Sequence, residues 1–280
     1  MSTGDITRIN TNLQAISSLN ALQRTNSQLG LRQLRLATGS QINRAEDDSA
    51  GYTIAKKLEA RVRGQAKALQ NIGDAKSMLT VAEGSLNSIM DILQSMKEKT
   101  VQAANDTMGS TERTAIKNEL DALSAEIGEI LEGTTFNGTS LFSNTGTSFT
   151  FQVNAENGDT FAAAIATIGV AGVSGMSVAV ADLVVTSAGT AGTTLAYIDG
   201  AINTVSTRLA SIGDSQKRLS FKQENLQTSM VNYEAARSRI EDADFAKEQM
   251  EILKLQILQQ TGTASLAQAN VGPQSILQLF

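Results

Sequence analysis

Residues 195–240 decide the fold, and they read LAYIDGAINTVSTRLASIGDSQKRLSFKQENLQTSMVNYEAARSRI. Apolar or packing side chains recur in this segment at alternating spacings of three and four residues. They are Leu195, Ile198, Ile202, Val205, Leu209, Ile212, Gln216, Leu219, Gln223, Leu226, Met230, Tyr233, Arg237 and Ile240. A row that repeats every 3.5 residues allows helices to pack side by side with a left-handed supercoil. The segment therefore predicts one long helix within a bundle.

A second row of the same kind lies in residues 72–103. Its members keep the same alternation, and they are Ile72, Ala75, Leu79, Ala82, Leu86, Ile89, Leu93, Met96, Thr100 and Ala103. Two such rows in one chain predict a mainly α protein. We expect an elongated antiparallel coiled coil or helical bundle formed by the N-terminal and C-terminal segments.

The C-terminal row changes register after Ile240. Two successive spacings of three place Arg237, Ile240 and Ala243 in a stammer, which overwinds a bundle locally or marks a joint between two bundles. A new row then begins, one residue out of step with the first. It comprises Ala243, Ala246, Met250, Leu253, Ile257, Gln260, Ala264, Ala267 and Val271.

The N-terminal segment carries two weaker apolar stripes. One comprises Ile6, Ile9, Leu13 and Ile16, and the other comprises Ala15, Leu19, Leu22, Leu29 and Leu36. Asn and Gln side chains dilute both stripes, so neither is sufficient to hold a helix alone in water. We expect both chain ends to be disordered in the monomer and to order on association. Trimming about 40 residues from either end should leave a soluble helical core that no longer polymerises.

The middle of the chain differs in composition from its flanks. Residues 133–198 contain three charged side chains in all. Within them, residues 149–153 alternate apolar and polar side chains, and Asn157-Gly158 follows, a dipeptide that favours a tight hairpin turn. Asn137-Gly138 offers a second turn of this kind. We predict at least one small β-hairpin in this region.

Composition excludes several kinds of chemistry. The chain has no cysteine and no histidine, which removes disulfides, Cys/His zinc sites and every catalytic pair that needs a thiol or an imidazole. Its net charge of −5 offers no general attraction to nucleic acid or to an anionic membrane. No glycine-rich phosphate loop or catalytic trio is visible. We therefore expect neither an enzyme nor a cofactor.

Two local features have both a functional and a structural interpretation. The acidic run Glu46-Asp47-Asp48 offers ligands for a divalent cation, but it immediately precedes a predicted helix at residues 50–62, which favours a capping role. Residues 160–181 are the one candidate membrane segment, but small residues dominate them, so we expect no insertion.

The first ten residues lack the basic and apolar regions of a secretory signal peptide.

Several motifs resemble those of bacterial flagellin. On the N-terminal side they are INTNL at 9–13, LATGSQINRAEDDSAG at 36–51, AEGSL at 82–86, VQAAN at 101–105 and TFNG at 135–138. On the C-terminal side they are AARSRI at 235–240, DADFA at 242–246, QILQQTGTA at 256–264, AQAN at 267–270 and PQSIL at 273–277. FQV at 151–153, followed by NG at 157–158, resembles the family's hairpin. So many motifs in one order make the resemblance specific.

The resemblance implies a subunit that self-polymerises into the extracellular flagellar filament for swimming motility. It divides the chain into five segments. An N-terminal inner helix at 1–42 pairs with a C-terminal inner helix at 241–280. Between them lie an outer helical segment with the hairpin at 43–161, a variable surface segment at 162–192 and an outer helix at 193–240. It also implies a flagellar export chaperone on the C-terminal helix, the type III export apparatus, and hook-associated and cap proteins as partners. Two alternatives stay open: the hook–filament junction protein, and a secreted coiled-coil adhesin or translocator.

Two sets of functional residues follow from the resemblance. The seams at the chain ends are expected to drive polymerisation through Ile6, Ile9, Leu13, Ile16, Leu19, Leu22, Met250, Leu253, Ile257, Ala264, Ala267 and Val271. A second segment resembles the family's recognition site for Toll-like receptor 5, and it includes Gln94, Ser95, Lys97, Glu98, Lys99, Val101 and Gln102. Since Ser95 replaces the arginine that usually anchors that contact and Lys99 replaces a leucine, we expect weak or absent receptor activation.

Overall fold

The structure is a computed structural model that describes residues 11–142, 149–163 and 183–277, without the side chains of residues 163 and 272–277. Within these ranges the chain forms five helices and two antiparallel two-stranded sheets. The elements are α1 (Leu13–Thr38), α2 (Ser49–Ala103), α3 (Ser110–Gly133), β1 (Thr135–Phe136), β2 (Thr139–Ser140), β3 (Phe149–Gln152), β4 (Thr160–Ala163), α4 (Ala188–Glu241) and α5 (Phe245–Leu277). The predicted mainly α class with small β-hairpins is confirmed.

The chain divides into two compact units. The terminal unit comprises Met1–Ala60 and Asn232–Phe280, and the central unit comprises Arg61–Val231. Residues 164–182, which hold most of the predicted variable segment and most of the candidate membrane segment, lie outside the described residues. No helix in the described ranges combines the length and the apolar character that crossing a membrane requires.

The core of the central unit is made by the predicted rows. Every member of the row at residues 72–103 is fully buried. From α4, Ile198, Val205 and Leu219 are fully buried in the same cluster, which also takes Leu120 and Ile127 from α3. The heptad alternation therefore identified the core-facing side of both long helices, because a 3.5-residue repeat keeps one helix face turned towards its neighbours.

Turns at the predicted Asn-Gly dipeptides lie in the connections of both hairpins. In the turn between β1 and β2, Asn137 and Gly138 have φ angles of 50° and 75°, the left-handed pair that this turn type requires. In the longer connection between β3 and β4, Gly158 has a φ of 92°. Phe151 pairs with Phe161 across the second hairpin, and Phe161 is buried in the core of the central unit. Both predicted turns are confirmed.

The second hairpin is held against α2 by polar contacts and a close approach. The side-chain amide of Asn71 donates a hydrogen bond of 3.1 Å to the carbonyl oxygen of Gln152. About two helical turns earlier, Gly64 lies so near the hairpin connection that a Cβ at this position would stand 2.8 Å from the Cβ of Ala155. A side chain at Gly64 would push the hairpin away from the helix, because carbon atoms pack no closer than about 3.5 Å.

Candidate subunit interface

The terminal unit is built around an antiparallel pair of helices, α1 and α5. The side-chain amide of Asn12 donates a hydrogen bond of 2.8 Å to the carbonyl oxygen of Ala269. Further along the pair, Nε2 of Gln259 donates to Oδ1 of Asn26 over 2.9 Å. These bonds join residues 257 and 233 positions apart, so they connect the two ends of the chain directly.

Little apolar surface is buried between α1 and α5. The buried apolar cluster of the described residues here consists of Leu29, Ile252 and Leu255, with Leu36 packed against it. This cluster is far smaller than the core of the central unit, so the pair receives much less hydrophobic stabilisation. The disorder of the two chain ends in the free subunit stays a prediction.

A buried charged residue lies in the same helix pair. Glu248 is 4% exposed, and its Oε1 accepts a hydrogen bond of 2.7 Å from a terminal nitrogen of Arg32. A terminal nitrogen of Arg35 lies 3.8 Å from the same oxygen. Because a buried carboxylate without its partner is strongly unfavourable, the two arginines make this an obligatory ionic contact between α1 and α5.

Sequence reasoning did not identify Glu248, Arg32 or Arg35. A signal was present, because α5 carries a second row with alternating spacings of four and three. That row comprises Glu248, Ile252, Leu255, Gln259, Gly262, Leu266 and Ala269. Its members are buried or half-buried, whereas every row residue that sequence analysis did select from position 250 onward is exposed. The less apolar of the two rows therefore makes the contact within the subunit.

A short β-bridge marks the predicted joint in the C-terminal row. Helix α4 ends at Glu241 and α5 begins at Phe245, so the stammer coincides with a break between two helices. On the other chain segment, α1 is closed by Gly39 in the left-handed conformation, with a φ of 71°. The two breaks meet, because the backbone N–H of Ala243 donates to the carbonyl oxygen of Gly39 over 2.8 Å. The backbone therefore fixes where α1 and α5 start to run together.

In the acidic run before α2, Asp48 caps the start of the helix as predicted, whereas Asp47 binds backbone groups of the preceding turn. Oδ1 of Asp48 accepts hydrogen bonds from the backbone N–H groups of Ala50 and Gly51, at 3.1 and 3.0 Å. Oδ2 of Asp47 accepts from the backbone N–H groups of Arg44 and Asn43, each at 3.0 Å. These two bonds lower the pKa of the Asp47 carboxyl below its ordinary value of 3.8. Within the described residues, no three His, Cys, Asp or Glu side chains gather as a metal site would require.

An exposed apolar row runs along the outer side of α5. Met250 is 65% exposed, Leu253 52% and Ile257 63%. The row continues through Ala264, Ala267 and Val271, which are also exposed. Because α5 packs on α1 through its other row, these six side chains stay exposed along the other side of the helix. We define them as the α5 row.

The N-terminal seam residues divide into three groups. Leu13, Ile16 and Leu19 are exposed on α1 and extend the apolar surface of the terminal unit. Leu22 instead faces α5, where a Cβ added at Gly262 would lie 3.4 Å from the Leu22 Cδ1. It contributes to the contact within the subunit. Ile6 and Ile9 lie outside the described residues.

Exposed apolar side chains in a row on one helix indicate an interface. Single exposed apolar residues are common on soluble proteins, whereas a contiguous apolar patch marks a surface that another molecule covers. The heptad spacing of the α5 row specifies the geometry of that surface, because it is the spacing at which a further helix packs alongside. The geometry of the row is thus compatible with the packing of a further helix alongside α5.

The segment that resembles a receptor site lies near the C-terminal end of α2. The side chain of Lys97 forms an ion pair of 2.7 Å with Asp199, and that of Lys99 forms one of 2.8 Å with Glu119. Gln94, Glu98, Val101 and Gln102 are exposed, and Ser95 is half-buried. Both lysines of this segment thus form ion pairs within the subunit, and none of the seven residues is an arginine.

Comparison with known proteins gives the same family at both ends of the chain. Residues 9–147 match the family model for the bacterial flagellin N-terminal helical region, and residues 195–280 match that for the C-terminal helical region. A flagellin from Bacillus subtilis is 37% identical over 302 aligned positions, which cover 98% of this chain and 99% of that protein. A flagellin from Halalkalibacterium halodurans is 36% identical and covers 88% of this chain and 89% of that protein.

A solved structure supports the fold. A protein from Vibrio parahaemolyticus described as a flagellar hook-associated protein superposes with a TM-score of 0.58, over 70% of this chain and 100% of that one. At 18% identity this likeness concerns the fold alone.

Proposed function

The chain belongs to the bacterial flagellin family and is a subunit of the flagellar filament outside the cell, and we propose that it polymerises through the α5 row and the exposed side chains of α1. The observation that carries the proposal is the exposure of Met250, Leu253 and Ile257 on one side of α5 while the opposite side packs on α1. The surface that remains uncovered in the subunit is the one that other copies cover.

The apolar area of this surface is large enough to support association. Burying a Leu, Ile or Met side chain fully contributes about 1.5–3 kcal/mol, so three side chains with half or more of their surface still exposed offer several kcal/mol. Leu13, Ile16 and Leu19 add to this amount from α1. A contact of this kind that is not self-complementary adds subunits without closing, and it generates a helical fibre.

The same surface provides a reason for an export chaperone. An apolar row on α5 is an association hazard before the subunit leaves the cell, because free copies would bind one another prematurely. We propose that a flagellar export chaperone covers the C-terminal helix until the type III export apparatus receives the chain. Hook-associated and cap proteins complete the set of proposed partners, and no enzymatic activity is proposed.

Two alternatives have less support than a filament subunit. The hook–filament junction protein has related terminal helices, but the similarity to a flagellin over 98% of this chain and 99% of its relative favours the filament subunit. A secreted coiled-coil adhesin or translocator unrelated to motility would not account for family matches at both ends of the chain.

Weak or absent activation of Toll-like receptor 5 is also proposed. It rests on Ser95 and Lys99, which depart from the family's motif, and on the ion pair that holds Lys99 against Glu119. A reporter-cell assay with purified monomer tests it. A response far below that to a flagellin with the complete motif is expected, and an equal response would overturn the proposal.

Negative-stain electron microscopy after salt-induced assembly tests the filament proposal. Full-length protein should form long tubes, whereas protein that lacks about 40 residues at either end should stay soluble, helical and unassembled, since it lacks one helix of the pair. Short assemblies of the full-length protein that never elongate would favour the junction protein. Normal tubes from either truncated form would refute the role of the terminal helices.

A further inference from the structure

Met250 differs from the other methionines of the described residues in its accessibility. It is 65% exposed, the highest value for a methionine in the part of the chain that the structure describes. The buried methionines are Met78 and Met96, and the half-buried ones are Met90, Met108 and Met230. Because a thioether reacts with dissolved oxidants only where they can reach the sulfur, the free subunit presents Met250 to them before the other methionines of the described residues.

We propose that Met250 is an oxidation site at which a peroxide prevents the subunit from polymerising. In the reaction the sulfur of Met250 attacks one oxygen of hydrogen peroxide, the O–O bond breaks, and methionine sulfoxide and water are formed. The sulfur is oxidised by two electrons and the peroxide is reduced. The inference rests on the proposed function, because it requires the α5 row to be buried between subunits.

The surroundings of Met250 determine the effect of the added oxygen. A sulfoxide oxygen is a hydrogen-bond acceptor, and burying it without a donor is unfavourable. The neighbours of Met250 along the row are Ala246 and Leu253, whose side chains have no donor. The lysines on the adjacent turns of α5 are Lys247 and Lys254, and the ammonium group of Lys254 lies 3.6 Å from the carboxylate of Glu251. Oxidation therefore adds a polar oxygen to an apolar row, and burying that oxygen between subunits removes its hydrogen bonds to water.

Burial in the filament should protect Met250 from oxidation. A side chain covered by a neighbouring subunit is protected from peroxide, so assembled filaments should resist a dose that inactivates free subunits. The proposed device consequently acts on subunits before they are incorporated and leaves existing filaments intact.

The test treats full-length monomer with hydrogen peroxide, follows each methionine by peptide mass spectrometry, and measures the critical concentration of salt-induced assembly. Met250 should oxidise before Met78 and Met96, and the critical concentration should rise about tenfold. Treatment with methionine sulfoxide reductase should return the critical concentration to its value before oxidation. The variant Met250→Leu, compared only with its own untreated sample, should show no change after the same treatment.

Three outcomes would overturn the inference. They are normal assembly of protein with fully oxidised Met250, equal peroxide sensitivity in Met250→Leu, and oxidation of Met78 or Met96 ahead of Met250. The variants Leu253→Gln and Ile257→Gln separate this failure from that of the proposed function. If they assemble poorly while oxidised protein assembles normally, the oxidation site alone is refuted; if they also assemble normally, the α5 row is not the interface.

Discussion

Replacing Leu253 and Ile257 by glutamine together should suppress polymerisation without unfolding the subunit. Both side chains are on the exposed row of α5, with 52% and 63% of their surface accessible, and neither belongs to a buried apolar cluster of the subunit, so the change should affect its folding little. Glutamine is a good helix former, and α5 should retain its helical structure. The loss should appear only when the row meets another subunit.

The size of the effect follows from the exposed surface. Fully burying a leucine or isoleucine contributes about 2.2 kcal/mol, and a little over half of that amount is still available at each position, which gives about 2.5 kcal/mol for the pair. At 1.4 kcal/mol per factor of ten, the critical concentration for assembly should rise about 60-fold. Burying two amide groups without partners would increase this value further.

Sedimentation of salt-induced filaments over a concentration series measures the critical concentration, and circular dichroism of the supernatant reports the helix content. Leu258→Gln provides the matched control, since Leu258 is 47% exposed on the same helix but lies outside the row. It should change the critical concentration only slightly. An unchanged critical concentration in the double variant, or an equal change in the control, would refute the reasoning.

Three further predictions concern the subunit itself. Gly64→Ala should lower the unfolding free energy of the subunit by about 1–3 kcal/mol in thermal unfolding, because the new Cβ overlaps that of Ala155 in the hairpin connection; unchanged stability would mean that the hairpin moves aside freely. Leu86→Ala should lower the unfolding free energy by about 2–5 kcal/mol, since Leu86 is fully buried in the central unit. A loss under about 1 kcal/mol in denaturant unfolding would contradict the assignment of Leu86 to the core. The pKa of the Asp47 carboxyl is lowered in the folded state, chiefly through the hydrogen bond from the backbone N–H of Arg44. Its contribution to the unfolding free energy is therefore complete above the unfolded-state pKa of 3.8 and disappears as the pH falls through the lower folded-state pKa. Asp47→Asn should therefore reduce the loss of stability across that acidic window in pH-dependent melts, and an identical pH profile would contradict this origin.

The central unit could be predicted closely from the sequence. Its two rows repeat mainly apolar side chains at strict 3.5-residue spacing, and every member of the row at residues 72–103 is fully buried. The turn dipeptide Asn137-Gly138 was equally informative, because few other residue pairs tolerate two positive φ angles; at Asn157-Gly158 the glycine takes the positive φ.

The terminal unit could be predicted less completely, because each terminal helix carries two rows and only the partner helix selects between them. On α5 the more apolar row is exposed, and the contact to α1 uses a row that contains Glu248 and Gly262. A charged residue within a heptad row is typical of a solvated face, so the sequence offered no reason to place Glu248 between two helices. On α1, likewise, Leu19 and Leu22 belong to one stripe in the sequence but lie on different surfaces in the structure.

The most direct test of assembly through the α5 row uses a thiol in a chain that has no cysteine of its own. The variant Ile257→Cys is assembled, and the rate of maleimide labelling is measured on monomer, on washed filaments and on filaments dissolved in urea. The thiol should react readily in the monomer and in urea, and at least about tenfold more slowly in the filament, because the neighbouring subunit covers it. Equal labelling rates in monomer and filament would contradict the account.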